Sequence, residues 1–121
     1  MIQGSSISLE IIEQVRQVAS GYERILVCLD SNHTHDHVLA ELEAYAPLTS
    51  VGSYCVVFDT IVEDLPDEIF PDRPWGKNDN PKTAVWEYLR RLNEGGQKAM
   101  DGKLLNFEIN KSIENKLLIT V

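Results

Sequence analysis

Residues 24–45, RILVCLDSNHTHDHVLAELEAY, decide the fold because a strand signal is followed directly by a helix signal. Arg24–Leu29 carries a continuous apolar run, which is typical of a parallel strand buried on both faces. His35–Tyr45 repeats apolar residues at helical spacing. This stretch therefore predicts a strand, a polar loop and a helix, in that order.

The same alternation continues on both sides of this unit. Alternation of helices with short apolar strands predicts an α/β fold, with parallel strands, helices on both faces of the sheet and a terminal antiparallel hairpin. The further elements are a helix at Ser8–Ala19, a strand at Ser53–Phe58, a polar lid at Thr60–Asn80, a helix opened by Pro81, and two final strands at Leu104–Ile109 and Lys116–Val121.

The composition is that of one globular domain. The 121 residues are 43% hydrophobic and 25% charged, with a net charge of -8. An acidic balance argues against nucleic acid or an anionic membrane as the main partner, and no apolar run reaches the ~20 residues that span a bilayer. Cys28 and Cys55 lie in apolar strand signals, which predicts buried, reduced thiols and a cytoplasmic location.

Two aspartates follow the two predicted parallel strands. Asp30 and Asp59 would lie roughly 5 Å apart if these strands are neighbours, and in parallel sheets ligands bind beyond the carboxyl ends of the strands. The two carboxylates could share a divalent cation that activates a hydroxyl, with His33 as the base that removes its proton. The alternative, that both aspartates cap turns or helices, stays open from the spacing alone.

The histidine-rich run 33–37, HTHDH, supports two further interpretations. It is similar to the zinc motif of metallo-β-lactamase-type hydrolases, but it is one residue short and no other histidine completes the ligand set. A zinc hydrolase is therefore a third alternative for function. In the structural interpretation, Thr34 or Asn32 caps the following helix and Asp36 lies favourably in its first turn.

Four long segments resemble the cephalosporin hydroxylase family, which includes rhamnosyl O-methyltransferases. The resemblance implies a Rossmann-like class I S-adenosylmethionine-dependent methyltransferase sheet that ends in an antiparallel strand pair. The segments are LDSNHTHDHVLAELEAYAPL, VGSYCVVFDTIVEDLP, FPDRPWGKNDNPKTAVWEYL and FEINKSIENKLLITV.

The resemblance also implies roles for individual residues, by similarity to the metal-dependent catechol-type O-methyltransferases. It implies Asp30, Asp59 and Thr60 as ligands of a metal such as Mg²⁺ and His33 as the catalytic base. It also implies Ser6 and Ser31 as contacts of the S-adenosylmethionine cofactor, with Ser6 at its adenine. Phe58 stands where cephalosporin-type members carry a glutamate ligand, which leaves two carboxylates for the metal.

The lid holds the candidate residues for the acceptor. An aromatic face beside a cationic group suits a sugar, so Trp75 with Arg73 is a candidate acceptor site. Alternatively, Trp75 anchors the loop on the core. The acidic residues of the lid, among them Glu63 and Asp64, are interpreted as a solvated loop, and Trp86 in the last helix is interpreted as core.

The predicted function is methyl transfer from S-adenosylmethionine to a hydroxyl of a small-molecule or saccharide acceptor. The family's glycine-rich cofactor loop lies upstream of Gly4 and has no counterpart here, so residues 1–121 are interpreted as a single methyltransferase-like domain lacking the N-terminal glycine-rich cofactor half. An unpaired parallel edge would then favour a homo-oligomer. The alternative is a non-catalytic remnant or assembly module of the same fold.

Overall fold

A computed structural model describes residues 1–110 and, for the backbone alone, residues 117–120. The helices are α1 at Leu9–Ala19, α2 at His35–Tyr45 and α3 at Pro81–Gly95, and the strands are β1 at Val27–Leu29, β2 at Tyr54–Val57, β3 at Glu108–Asn110 and β4 at Leu117–Thr120. Short 3-10 helices lie at Ala46–Leu48, Thr60–Asp64 and Asp67–Ile69. In this described part of the chain, the helices are too short or too polar to cross a membrane.

The four strands form one mixed sheet in the order β1-β2-β4-β3. β1 and β2 are parallel, whereas β4 is antiparallel to both β2 and β3. The predicted α/β class is confirmed to the extent that helices accompany a sheet with a parallel strand pair. The connection between β3 and β4, residues 111–116, lies outside the described residues, so the hairpin stays a prediction.

One face of the parallel strand pair packs against the hydrophobic core. Val27 lies opposite Cys55 and Leu29 opposite Val57, and all four side chains are buried. They belong to one hydrophobic cluster with residues of α2 and α3, including the fully buried Leu42. Removing this apolar surface from water holds the two helices against the strands.

Two apolar side chains predicted to be buried are exposed instead. Cys28 alternates with its neighbours in β1, so it lies on the opposite face of the sheet, where it is exposed. Trp86 is 49% exposed because the buried stripe of α3 runs through Ala84, Val85 and Tyr88. The Trp86 ring lies beneath the Lys82 ammonium, 5.4 Å from its centroid.

The first helix uses only part of its apolar stripe. Ser8 caps α1 by accepting a hydrogen bond from the Ile11 N–H. Ile12 and Val15 pack against the core, whereas Leu9 is 84% exposed. The helix was predicted correctly from its spacing, but spacing alone does not determine how much of an apolar stripe is covered.

Candidate functional site

The two aspartates that follow the parallel strands lie side by side. The Phe58 N–H donates to the Leu29 carbonyl at 3.1 Å, which holds the strand ends together just before Asp30 and Asp59. His33, from the loop after β1, completes a cluster in which one ligand atom from each of the three residues lies within 4.8 Å of the others. Its Nε2 is 3.4 Å from Asp59 Oδ2.

Asp59 has a backbone conformation that most residues avoid. Its φ of 56° and ψ of 27° lie in the left-handed region, which Asp and Asn tolerate better than other non-glycine residues. Strained backbone of this kind is concentrated at functional sites. Asp59 occupies the N-cap position of the 3-10 helix Thr60–Asp64, yet its side chain makes no capping hydrogen bond, so the capping interpretation is wrong for this residue.

The donor set of this cluster suits a hard divalent cation. Two carboxylates supply oxygen ligands and His33 adds a nitrogen. The side chains of His33 and Asp59 are 26% and 52% exposed, so the cluster opens to solvent. Thr60 follows Asp59 directly and is buried.

The lid brings aromatic and cationic groups to this cluster. The Trp75 ring meets the His33 ring edge to face, with centroids 5.4 Å apart and an interplanar angle of 86°. Phe70 also packs against Trp75, with 4.9 Å between the ring centroids. The Arg73 guanidinium lies 5.6 Å from the Trp75 ring centroid. Trp75 therefore lies beside His33, and Arg73 lies beside Trp75.

Glu63 and Asp64, near the start of the lid, make specific polar contacts, although Asp64 is exposed, as predicted for a solvated loop. Glu63 Oε2 accepts hydrogen bonds from the Asn78 N–H at 2.7 Å and from Asn80 Nδ2 at 2.5 Å. Asn80 is fully buried and also caps α3. Asp64 pairs with Lys82 of the same helix at 2.6 Å. These bonds tie the start of the lid to its end and to the first turn of α3.

The three histidines face three different partners, so the run 33–37 does not form a single zinc ligand set. His33 faces Asp59, His35 Nδ1 lies 2.8 Å from the Thr83 hydroxyl, and His37 lies 3.4 Å from Glu41. A tetrahedral zinc site needs its ligands to converge on one point.

The capping prediction for α2 was right about position and wrong about the bond. Thr34 is the N-cap residue, but its side chain makes no capping hydrogen bond. Instead, Asn32 Oδ1 accepts from both the Thr34 N–H and the Thr34 hydroxyl at 2.9 Å.

A second polar cluster was not predicted from the sequence. Glu41 Oε1 accepts a hydrogen bond from Ser6 at 2.6 Å and another from Ser31 at 2.5 Å. His37 Nε2 lies 3.2 Å from the Ser6 hydroxyl oxygen, and the Tyr45 hydroxyl donates to the Ser6 carbonyl. The two residues predicted to contact the cofactor are thus joined through one carboxylate.

One signal for this cluster was present in the sequence. Glu41 falls three residues after Val38 and four before Tyr45, on the stripe that faces the core. A carboxylate there is rarely buried without partners. Glu41 is only 2% exposed, and burial followed by the Glu41 charge raises the pKa of Tyr45.

An open groove of about 350 Å³ runs along β1 between the two clusters. Its walls are mainly apolar and include Val15, Leu26 and Leu48, while Ser6, Ser31, Glu41 and Asp30 supply polar groups. Because Asp30 belongs to both the groove and the metal-type cluster, a ligand in the groove would reach that cluster.

These features define an α/β protein with a carboxylate–imidazole cluster where its two parallel strands end, beside a groove suited to a small ligand. The chain belongs to the rhamnosyl O-methyltransferase/CmcI family, whose model matches residues 1–121. The predicted family membership is thereby confirmed.

Curated relatives carry the same description. Rhamnosyl O-methyltransferases of Mycobacterium bovis and Mycobacterium tuberculosis are 38% identical to this chain over 66 residues, which is 54% of this chain and 27% of the relative. The Mycobacterium leprae rhamnosyl O-methyltransferase is 36% identical over 66 residues and is covered to 29%. The matches therefore span less than a third of each relative's length.

Proposed function

We propose that this chain forms part of an S-adenosylmethionine-dependent O-methyltransferase that methylates a sugar hydroxyl. The observation that carries the proposal is the Asp30–His33–Asp59 cluster at the carboxyl ends of two parallel strands, in a member of a methyltransferase family. The relatives' description as rhamnosyl O-methyltransferases supports a saccharide acceptor.

His33 is the proposed base. Methyl transfer breaks a sulfur–carbon bond and forms a carbon–oxygen bond, so the acceptor hydroxyl must lose its proton. With Nε2 directed at Asp59 across 3.4 Å, Nδ1 is the ring nitrogen left to accept that proton. The neighbouring carboxylate orients the ring and stabilises the imidazolium that forms.

Asp30 and Asp59 are the proposed ligands of a divalent cation such as Mg²⁺, with Thr60 next to Asp59 as a third oxygen donor. A bound cation would lower the pKa of the acceptor hydroxyl and orient it. The exposure of both aspartates suits this role because it leaves room for water and a substrate oxygen.

Arg73 and Trp75 are the proposed acceptor contacts. Trp75 is only partly buried and touches the His33 ring, so a sugar against it would place a hydroxyl near the base. Arg73 is exposed and can donate hydrogen bonds to sugar oxygens. Positioning of this kind supplies a large share of the rate enhancement in group transfer.

The proposed cofactor contacts are Ser6 and Ser31, which both line the groove beside β1. Apolar walls with a few convergent polar groups are typical of cofactor sites. We propose that residues 1–121 supply this face as the C-terminal half of a methyltransferase domain.

The test is transfer of a labelled methyl group from S-adenosylmethionine to a rhamnose-containing glycolipid by the full-length protein, with and without magnesium. Asp30→Asn should reduce transfer strongly, whereas Asp101→Asn, an exposed substitution away from the cluster, should leave it unchanged. Equal transfer by both variants would contradict the proposal.

A second candidate, an assembly module, is favoured by the β1 edge. β1 is an outer strand of the described sheet, and the neighbouring Leu26 is 56% exposed. Exposed strand edges pair readily with other chains. Light scattering after size exclusion tests the proposed homo-oligomer, and a monomer at all concentrations would rule it out.

A further inference from the structure

We infer that Glu41 is a positioning residue that makes the Ser6–Ser31 end of the groove selective for a ligand N–H donor. The inference rests on the proposed function, because it takes the purine of the cofactor as the occupant of the groove. Its basis is the direction of two hydroxyl hydrogen bonds.

An ionised carboxylate can only accept hydrogen bonds. Glu41 Oε1 lies 2.6 Å from the Ser6 hydroxyl and 2.5 Å from the Ser31 hydroxyl, distances typical of an O–H donor to a charged oxygen. Both serine protons are therefore committed to Glu41. Each serine oxygen is left with lone pairs, which accept hydrogen bonds and do not donate them.

The neighbouring histidine agrees with this direction. His37 Nε2 lies 3.2 Å from the Ser6 oxygen and 3.4 Å from the Ser31 oxygen. With both serine protons directed at Glu41, the compatible tautomer carries its proton on Nε2, which lies within reach of both serine oxygens and, at 3.4 Å, of Glu41 Oε1. A hydroxyl oxygen has two lone pairs, so Ser6 keeps one for a ligand.

The buried carboxylate itself indicates more than a packing role. Glu41 is 2% exposed, and its Oε2 is buried without a hydrogen-bond partner. Desolvation of a carboxylate oxygen is costly when nothing compensates it. A buried carboxylate with this desolvation cost suits a site in which the fixed direction of two hydroxyl groups is itself functional.

The backbone of Ser6 is held from the same helix. The Tyr45 hydroxyl, one turn after Glu41, donates to the Ser6 carbonyl. Helix α2 thus fixes Ser6 at both its carbonyl and its hydroxyl, and a hydroxyl that cannot rotate cannot adapt to a ligand carbonyl.

Purines that differ at one position provide the test. S-adenosylhomocysteine carries an amine at the purine 6-position, and S-inosylhomocysteine carries a carbonyl oxygen there. The amine can donate a hydrogen bond to a serine oxygen. The carbonyl oxygen is itself an acceptor, so it cannot form a hydrogen bond with a serine oxygen whose proton is directed at Glu41. Calorimetric titration of the full-length protein should show about 10-fold or greater preference for the amine.

Glu41→Ala releases both serine protons, which can then turn toward a ligand carbonyl. The preference should fall to within about threefold, because both purines then find a partner. The ratio of the two affinities is the readout, since a purely structural role would weaken both ligands equally and leave it unchanged. Glu43→Ala, an exposed carboxylate on the same helix, is the matched control and should keep the full preference.

Ser31→Ala provides a second variant should Glu41→Ala fail to fold. Ser31 is exposed on the loop after β1, so its hydroxyl can be removed at little cost to the fold, and the preference should fall in part. Lack of preference in the wild type, or an unchanged ratio in the variants, would overturn the inference. Methyl transfer measured in the same preparations tests the proposed function separately.

Discussion

The two polar clusters at the end of β1 differ in how much water reaches them. The carboxylate of Asp59 is half exposed and its cluster opens to solvent, whereas Glu41 is buried beneath two serines. An open cluster can exchange ligands and protons, but its charges are screened by water. A buried one fixes geometry, because each unmade hydrogen bond there is expensive. We therefore propose that the chemistry takes place at the open cluster and that the buried cluster positions the ligand.

The largest effect should come from His33→Ala in the open cluster. Loss of a general base lowers the rate of transfer by about 10²- to 10⁴-fold, and the stability should change little because the side chain is partly exposed. Single-turnover methyl transfer and thermal melting measure the two effects. Asp36→Ala, exposed in the first turn of α2, is the control; a large loss of stability with full turnover would make His33 a structural residue.

The next effect concerns the metal. Asp59→Asn removes a charge but keeps a residue that tolerates the left-handed backbone. Divalent-cation affinity should fall by at least the roughly 10- to 100-fold that loss of an outer-shell partner costs. Calorimetry with Mg²⁺ measures it, and Asp64→Asn, a lid carboxylate paired with Lys82, should bind the cation as the wild type does. Unchanged affinity in Asp59→Asn would remove Asp59 from the ligand set.

A substitution in the buried cluster should lower the stability of the fold. Glu41→Ala removes the acceptor shared by Ser6 and Ser31, and we expect the free energy of unfolding to fall by about 1–3 kcal/mol. Glu43→Ala breaks only a surface pair with Arg91 and should cost about 0.5 kcal/mol or less. Urea unfolding compares the two. Similar losses would mean that burial gives Glu41 no special role.

The smallest expected effect is a difference in thiol reactivity between the two faces of the sheet. Cys28 is exposed and should react quickly with a thiol reagent, whereas Cys55 is fully buried and burial raises its pKa to about 12. A raised thiol pKa stabilises the fold at neutral pH, and that contribution is lost as pH rises through the thiol's ordinary range toward 12. Native labelling should therefore modify one thiol, and two equally fast reactions would contradict the burial of Cys55.

Helix boundaries were the most predictable part of this fold. The apolar spacing of α2 predicted His35–Tyr45 correctly, because the residues with which a helix contacts the core recur at helical spacing in its own sequence. The exposure of Cys28 and Trp86 could not be predicted in the same way. Which face of a strand or helix is covered depends on elements distant in the chain.

The sequence by itself determined the family, the alternation of strands and helices, and the placement of Asp30 and Asp59 after parallel strands. These properties depend on local patterns and on a general property of parallel sheets. Only the tertiary structure decided that Trp75 meets His33 and that Glu41 joins Ser6 to Ser31. Those contacts bridge 10 to 42 positions of the chain, and side-chain direction in the folded state, which no local repeat encodes, brings the atoms together.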